Sequence, residues 1–299
     1  MALSFIIALL AVTVAIFVHS NRFLFGFHTG DIRPEHASFI QPKDDVLNYY
    51  LEPHHKQIGA DFESYRNHCL RVLAFTRYFL SLENIELDPD SPISNIITMA
   101  LAYHDIALWT DGALDYLEPS VTQMDKRVLQ EMRQSQQAEG DEGTLYVPKQ
   151  FHWSSFEADS EIAKTIILQH HKLTSYYQSS SSNSKINSSP SKNSAERKVG
   201  NDETNGSNND KEDQQSSSPS PGGKVNIEHM NEIVNAVRKA DWADATMGIV
   251  GFGLPQSLLG EAYKQIPEAG FHNVLVEMGS RLSPNSLKGQ LDILKIFKW

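Results

Sequence analysis

The chain has 299 residues, of which 40% are hydrophobic, enough for one large domain or two small ones, and its single cysteine, Cys69, excludes an intrachain disulfide and a multi-cysteine zinc site. The formal net charge of −11, from 37 acidic and 26 basic side chains, argues against a nucleic-acid-binding protein that relies on phosphate contacts. A small anionic substrate is compatible with this charge, because a metal ion or a few local cations can outweigh it.

An uncharged apolar run occupies residues 2–18, at the short end of the ~17–25 residues that span a bilayer. No Lys or Arg precedes the run and Arg22 follows it, so the basic n-region of a secretory signal is missing. We therefore predict that residues 1–22 form an N-terminal anchor that associates the protein with a membrane. A cleaved signal peptide and a buried helix are the alternatives, and the side of the membrane that holds the main body is left open.

Two predicted helices follow, each with a histidine in or beside its apolar stripe. In "DFESYRNHCLRVLAFTRYFL" (61–80), His68 borders the stripe. In "SPISNIITMALAYHDIAL" (91–108), Ser91 is a helix N-cap with a proline after it, and the apolar spacing continues to His104. An aspartate comes directly after that histidine, where the pattern calls for core residues.

Two more helices with the same character are predicted further along the chain. In "ADSEIAKTIILQHHKLTSY" (158–176), His170 continues the apolar stripe. In "VNIEHMNEIVNAVRKADWADATMG" (225–248), Asp241 continues it, and Gly248 is a candidate C-cap.

Residues 178–224 lie between these two helices and consist mainly of Ser, Asn, Gly, Pro and charged residues. Such a segment cannot bury enough apolar surface to offset the entropy lost on ordering. We predict a disordered, low-complexity insertion within one helical domain that spans residues 40–299, since long insertions in surface loops are tolerated. Runs of alternating β-branched or aromatic residues are few, so the predicted fold class is all-α.

Polar residues on the inward faces of several helices need a common explanation. A buried carboxylate or unpaired imidazole is unfavourable by several kcal/mol unless it is paired, hydrogen-bonded or bound to a metal. A separate hydrogen bond could satisfy any one of them. A shared divalent cation satisfies His68, His104, Asp105 and Asp241 together, and this mixed N/O set suits Zn, Mn, Fe, Co or Ni.

The order of these residues resembles the HD-domain superfamily of metal-dependent phosphohydrolases. "YRNHCLRV" is similar to the first-histidine helix of that family, "LAYHDIALW" to the helix that carries the paired His and Asp, and "VRKADWADATMG" to the helix of the final aspartate. The similarity covers about residues 55–250, apart from the insertion, and the surrounding residues look like an uncharacterised subgroup. It implies an HD-type helical bundle, His68, His104, Asp105 and Asp241 as metal ligands, and a metal-bound water as nucleophile.

Candidates for catalysis are found in and after the adjacent residues His104 and Asp105, which we call the HD pair, and before Asp241. We expect Asp105, His170 and Lys172 to take part in catalysis, with His170 facing the pocket and Lys172 at its rim. In HD relatives with two metals, extra histidines hold the second ion, so a second metal at His152, His170 or His171 is one reading. A hydrogen bond from His170 to a ligand, or plain packing, are the others. Two acidic residues, Asp111 and Asp115, belong either to a second shell around the site or to a solvated turn.

The predicted function is therefore a metal-dependent hydrolase of a small phosphate ester or nucleotide. Cation-assisted hydrolysis agrees with the residue types, because a bound cation lowers the pKa of its water and polarises a phosphoryl oxygen. An HD-type di-iron oxygenase, or a metal-dependent hydratase or lyase, is the first alternative. A non-catalytic, membrane-tethered HD binding module is the second.

Overall fold

The computed structural model describes residues 34–112, 115–138, 156–178 and 229–282. Helices and their connecting turns account for this part of the chain, and it contains no β-strand, which confirms the all-α prediction. None of the helices in the described ranges has the length and apolar composition of a membrane span. The predicted anchor at residues 1–22 lies outside those ranges.

The α-helices are labelled in chain order. Those of the first half are α1 (Pro34–Ala37), α2 (Asp45–Leu51), α3 (His55–Ile58), α4 (Phe62–Leu82), α5 (Pro92–Tyr103) and α6 (Ala107–Thr110). Those of the second half are α7 (Leu117–Ala138), α8 (Phe156–Gln169), α9 (Met230–Ala245), α10 (Gln256–Gln265) and α11 (Phe271–Leu282). Short 3₁₀ turns at Glu52–His54 and Gly59–Asp61 flank α3.

Four helices pack in a closed ring. Helices α4 and α9 share the most extensive contact of any pair of described helices. Helix α9 also contacts α8, α8 contacts α5, and α5 contacts α4, which closes the ring. Helix α4 is buried on nearly every side, as expected for a helix that other helices surround. The inner faces of the ring meet in one apolar core, to which Phe75, Ile97, Ile166 and Val237 each contribute a side chain that is at most 1% exposed.

The local sequence accounts for the start of α5. The Ser91 hydroxyl accepts a hydrogen bond from the amide of Ser94 at 3.2 Å, and Pro92 occupies the first helical position. This cap was predicted from the sequence, and it satisfies one of the amide groups that a helix start leaves without an intrahelical partner.

Helix ends depart from the sequence prediction. Helix α5 ends at Tyr103 and α8 at Gln169, so the predicted continuation of these helices to residues 108 and 176 is wrong. Helix α9 ends at Ala245, and two residues after it have positive φ, Met247 (φ 51°) and Gly248 (φ 80°). Gly248 still takes part in this C-cap, because its amide donates to the carbonyl of Ala243 at 2.7 Å, as in a Schellman motif.

The chain divides by its internal contacts at two points, between Tyr176 and Tyr177 and between Gly223 and Lys224. The eleven helices of the described ranges all belong to the part formed by Met1–Tyr176 and Lys224–Trp299. The insertion predicted at residues 178–224 lies, except for its first residue, outside the described residues, and it stays a prediction.

Candidate metal centre

The four predicted metal ligands meet between the helices of the ring. His68 Nε2 lies 3.1 Å from His104 Nε2 and 3.3 Å from Asp241 Oδ1. His104 Nε2 lies 3.3 Å from Asp105 Oδ2 and 3.7 Å from Asp241 Oδ1. All four side chains are at most 5% exposed. Residues 173 positions apart in the sequence thus converge on one buried point, as a shared cation requires.

Two more histidines join these residues from the end of α8. His170 Nε2 lies 3.3 Å from Asp105 Oδ1, and His171 Nδ1 lies 3.8 Å from Asp241 Oδ2. We call the six residues the His/Asp cluster: His68, His104, Asp105, His170, His171 and Asp241. It contains three sets with ligand atoms within 4.8 Å of one another, which are His68–His104–Asp241, His104–Asp105–His170 and His170–His171–Asp241. Each set could hold a metal ion, and the sets overlap.

The HD pair lies in a break between α5 and α6, rather than on a continuous helix. Successive residues of an α-helix project about 100° apart, so a straight helix would direct these two side chains to different places. After Tyr103 the backbone tightens to bonds from residue i to i−3, such as Ile106 N to the Tyr103 carbonyl. His104 and Asp105 therefore face the same cluster.

Tyr65 on α4 satisfies the backbone groups that this break leaves without partners. Its buried hydroxyl donates to the carbonyl of Ala102 at 3.1 Å and accepts from the amide of Asp105 at 3.2 Å. The carbonyl of Leu101, which the amide of Asp105 would bind in an unbroken helix, accepts from His104 Nδ1 at 2.6 Å. The break thus leaves these polar groups paired, as buried groups must be.

A histidine Nδ1 bound to the backbone carbonyl three residues back is also found at the end of α8. His170 is the first residue after the helix, and its Nδ1 donates to the carbonyl of Ile167, three residues back, at 2.7 Å. His104 bears the same relation to Leu101. In both histidines an Nδ1–H bond to the backbone leaves Nε2 pointing into the cluster. This tautomer is the one that binds a metal through Nε2.

His68 is fixed by a carboxylate instead of a carbonyl. Its Nδ1 lies 2.7 Å from Asp244 Oδ2, and Asp244 is in turn paired with Arg71, whose Nε lies 2.6 Å from Oδ1. Phe271 of α11 stacks on the imidazole ring of His68, with the ring centroids 4.0 Å apart and the planes 11° from parallel. His68 therefore also presents Nε2 to the cluster.

Charges in the cluster stabilise one another. Burial alone would raise the pKa of Asp105, but the positive charges of His104 and His170 hold it well below its usual range. Burial likewise favours neutral Asp241, but the neighbouring imidazoles of His104 and His68 depress its pKa strongly. Burial alone would lower the pKa of His104, but the charge of Asp105 and the nearby carboxylate of Asp241 raise it well above 6.5. The buried carboxylates therefore draw positive charge into the site, as protons or as a metal ion.

The donor geometry fits a divalent cation. With Nδ1 of His68 and His104 committed as donors, their two Nε2 lone pairs face each other at 3.1 Å. Two lone pairs at this distance repel unless a proton or a cation lies beside them. A cation bound by two imidazoles and a carboxylate has the mixed N/O donors that Zn and other first-row metals accept.

The remaining residues singled out in the sequence lie around the cluster or away from it. Lys172 is partly exposed beside the cluster, and its backbone carbonyl accepts from Arg238. The catalytic role predicted for its side chain stays a prediction. The arginine that makes this bond, Arg238, is buried and donates to the backbone carbonyls of Lys172 and Leu173, so it holds this turn in place. Asp111 is exposed and bonded to Thr110, which favours the solvated-turn reading over a second shell. Asp115 is exposed as well.

Several residues around the cluster were missed in the sequence. Tyr65, Arg71 and Asp244 look like ordinary members of amphipathic helices, although the spacing carries a signal. Tyr65 and Arg71 lie three residues before and after His68, and Asp244 lies three residues after Asp241, so each shares a helix face with a predicted ligand. Tyr116 was missed too, and its hydroxyl is hydrogen-bonded to Nε2 of His171.

Comparison with known proteins adds no assignment: no family model, no curated protein and no solved structure matches the chain.

Proposed function

We propose that the chain is a metal-dependent hydrolase of the HD-domain type, which acts on a small phosphate ester or nucleotide. One observation carries the proposal: His68, His104, Asp105 and Asp241 occur in the sequence in the order of the HD motif, and their side chains converge on one buried point. A set of isolated polar residues in a helical core has no reason to show both properties.

The arrangement of the chain suits such a reaction. His68, His104 and Asp241 would hold the ion, with Asp105 beside it, and a bound divalent ion would lower the pKa of a water and polarise a phosphoryl oxygen. The Nδ1 bonds of the histidines fix their rings before any ligand arrives, which is the preorganisation that electrostatic catalysis needs. His170 Nε2 lies 3.3 Å from Asp105 Oδ1, so these two groups can share or pass a proton next to the reacting centre.

The open edge of the cluster gives a route for substrate. The side chain of His171 is 17% exposed, whereas that of His170 is fully buried. Lys172 follows directly and is partly exposed, so its ammonium group is available to an anionic substrate approaching from this side.

Phosphate release by the metal-loaded chain tests the proposal. Purified protein is loaded with Zn, Mn, Fe, Co or Ni and assayed against phosphomonoesters, nucleotides and cyclic nucleotides. The expected result is turnover with at least one metal, abolished in a His104→Ala and Asp105→Ala double variant. A His54→Ala and His55→Ala double variant is the control, since this adjacent pair lies outside the cluster, and it should keep full activity. Equal activity in both double variants would refute the proposal.

A second candidate is a di-iron oxygenase, and the overlapping ligand sets favour it. His170, His171 and Asp241 form another set, which shares Asp241 with the first and could hold a second ion. Two redox-active ions at one site are suited to O₂ chemistry, whereas hydrolysis needs one. Two irons per chain together with substrate-dependent oxygen uptake would favour this candidate. One zinc or manganese per chain with phosphate release would eliminate it.

We propose further that residues 1–22 anchor the protein in a membrane, because residues 2–18 carry no charge. The tagged full chain should stay in the membrane pellet after extraction at alkaline pH, and a chain starting at residue 23 should not. Release of the full chain into the supernatant would contradict the anchor.

A further inference from the structure

Asp244 lies behind the metal centre, on the side of His68 that faces away from the other ligands. It is fully buried, and its Oδ2 is 2.7 Å from His68 Nδ1. Asp241, one helical turn earlier on α9, approaches the other ring nitrogen, Nε2, at 3.3 Å. One helix thus contacts both nitrogens of the same imidazole, through aspartates three residues apart.

We infer that Asp244 and Arg71 form a positioning pair that sets the ring orientation and donor strength of His68 and thereby the metal affinity of the site. The inference rests on the proposed function, because it concerns the same metal centre. Histidine ligands of metals typically donate their second N–H to a carboxylate or carbonyl, which fixes the tautomer and makes the ligating nitrogen more basic.

His68 differs in this respect from the other histidines of the cluster. The Nδ1 atoms of His104 and His170 donate to backbone carbonyls of Leu101 and Ile167, which carry only partial charge. Only His68, among these three, directs its Nδ1 to a carboxylate. The Asp244 carboxylate beside Nδ1 makes Nε2 of His68 the most basic metal-binding nitrogen of the three. Loss of the negative charge of Asp244 should therefore weaken metal binding directly.

Arg71 keeps the Asp244 carboxylate in place and in its charged form. Its guanidinium binds both carboxylate oxygens, with Nε at 2.6 Å from Oδ1 and an Nη at 2.9 Å from Oδ2. The other Nη donates to the carbonyls of Ile266 and Pro267, at 3.2 Å and 2.9 Å. The Arg71 guanidinium is therefore held by these backbone carbonyls on one side and by the Asp244 carboxylate on the other. Because Arg71 is fixed, the carboxylate cannot turn away from the imidazole of His68.

The same contacts connect the C-terminal helices to the metal centre. The guanidinium of Arg71 lies over the ring of Tyr263, 4.6 Å from its centroid, and the Tyr263 hydroxyl donates to the carbonyl of Asp244 at 3.1 Å. Phe271 covers one face of the His68 ring. Residues from the end of α10 to the start of α11 thus enclose His68 and its carboxylate, which keeps water from competing for the hydrogen bond.

The test measures metal affinity in full-length variants, with Zn²⁺ and Co²⁺ as probes in competition with a chelator. Asp244→Asn keeps the size of the side chain and removes its charge, and we expect a loss of affinity of about 10–100-fold. The control is Glu131→Gln. Glu131 is likewise a buried carboxylate paired with an arginine, Arg127, with Nε 2.9 Å from Oε1, and it also accepts from the hydroxyl of Tyr50 at 3.5 Å; neither partner belongs to the cluster. It should bind metal as the unchanged protein does.

A second variant separates positioning from folding, because Asp244→Asn leaves the Arg71 guanidinium buried without its counter-charge. The double variant Arg71→Met with Asp244→Asn removes both charges and should regain part of the lost stability, since a buried ion pair can be replaced by uncharged residues at little cost. The recovery is incomplete because the carbonyls of Ile266 and Pro267 lose the guanidinium as a donor. The metal affinity of the double variant should stay low. Affinity that returns together with stability would overturn the inference.

A third measurement needs no variant to fold. In the unchanged protein labelled with ¹⁵N-histidine, long-range ¹H–¹⁵N correlation spectra should show His68 protonated at Nδ1, both with and without Zn²⁺. A proton at Nε2 only, or zinc bound at Nδ1, would overturn the inference. If the unchanged protein binds no metal, the proposed function fails. If it binds metal and Asp244→Asn binds equally well, the positioning role fails alone.

Discussion

The hydroxyl group of Tyr65 gives the sharpest test of how the fold places the HD pair. It donates to the carbonyl of Ala102 at 3.1 Å and accepts from the amide of Asp105 at 3.2 Å, and the side chain is fully buried. Tyr65→Phe leaves both backbone groups without a partner and adds no steric conflict. Each unpaired buried group costs about 1–3 kcal/mol. With the lower half of this range for each group, the free energy of unfolding should fall by about 2–4 kcal/mol.

Tyr103→Phe is the matched control for this substitution. Tyr103 is equally buried and adjoins the same helix break, but the hydrogen bond of its hydroxyl, to His54 Nε2, is long at 3.5 Å. Its loss should lower the free energy of unfolding by no more than about 1 kcal/mol. Urea denaturation of the metal-free proteins measures both values. At ~2–4 °C per kcal/mol, Tyr65→Phe should also lower Tm by about 4–16 °C. Equal effects of the two substitutions would refute the account of the break.

Three other predictions follow from the site and the fold. Because the pKa of His104 is raised, its contribution to stability is complete below pH 6.5, its ordinary pKa, and is lost as the pH rises through the raised value. Tm of the metal-free protein should therefore fall as the pH rises above 6.5, and saturating Zn²⁺ should remove the fall. A Tm that does not change with pH would contradict this. His170→Ala should lower the amount of bound metal, measured by mass spectrometry, more than His171→Ala does, because His171 lies at the partly exposed edge of the cluster. The reverse order would be evidence against a ligand role for His170. Gly248→Ala should lower the free energy of unfolding by about 2–4 kcal/mol, because φ is +80° and the added Cβ would lie 2.4 Å from the buried side chain of Leu259. Gly253→Ala is the control, since φ is +88° but the added Cβ meets no neighbour, and it should cost about 1–2 kcal/mol. Equal denaturation midpoints would show that the close contact at Gly248 relaxes.

The helical character of the chain and the cluster itself were accessible from the sequence. Apolar residues with a helical period predicted the core helices, and Ser91 predicted the start of α5. Polar residues among those apolar positions drew attention to His68, His104 and Asp241, which the structure brings together. A side chain that breaks the pattern is visible in one sequence because burial has a high cost for it.

The helix break at the HD pair could not be predicted in the same way. The apolar spacing continues past His104 to Leu108, so the pattern indicates one helix where the structure has two. The break depends on the hydroxyl of Tyr65, which comes from another helix, and a contact of this kind has no local signal. Tertiary contacts decide helix ends more than local sequence does.

Asp244 and Arg71 escaped prediction for a related reason. On a helix that is buried all round, a charged residue is recognisable as unusual, but its partner is not. Arg71 lies 173 residues from Asp244, and the carbonyls that complete its bonding lie still further along the chain. Only the fold brings these groups together.

Metal analysis of the purified full-length protein shows whether the His/Asp cluster binds a divalent metal ion. We expect at least one divalent ion per chain in the unchanged protein and in the His54→Ala and His55→Ala control. We expect none in the His104→Ala and Asp105→Ala variant, provided circular dichroism shows that this variant is folded. A folded, unchanged protein that takes up no metal, or a double variant that retains it, would contradict the account.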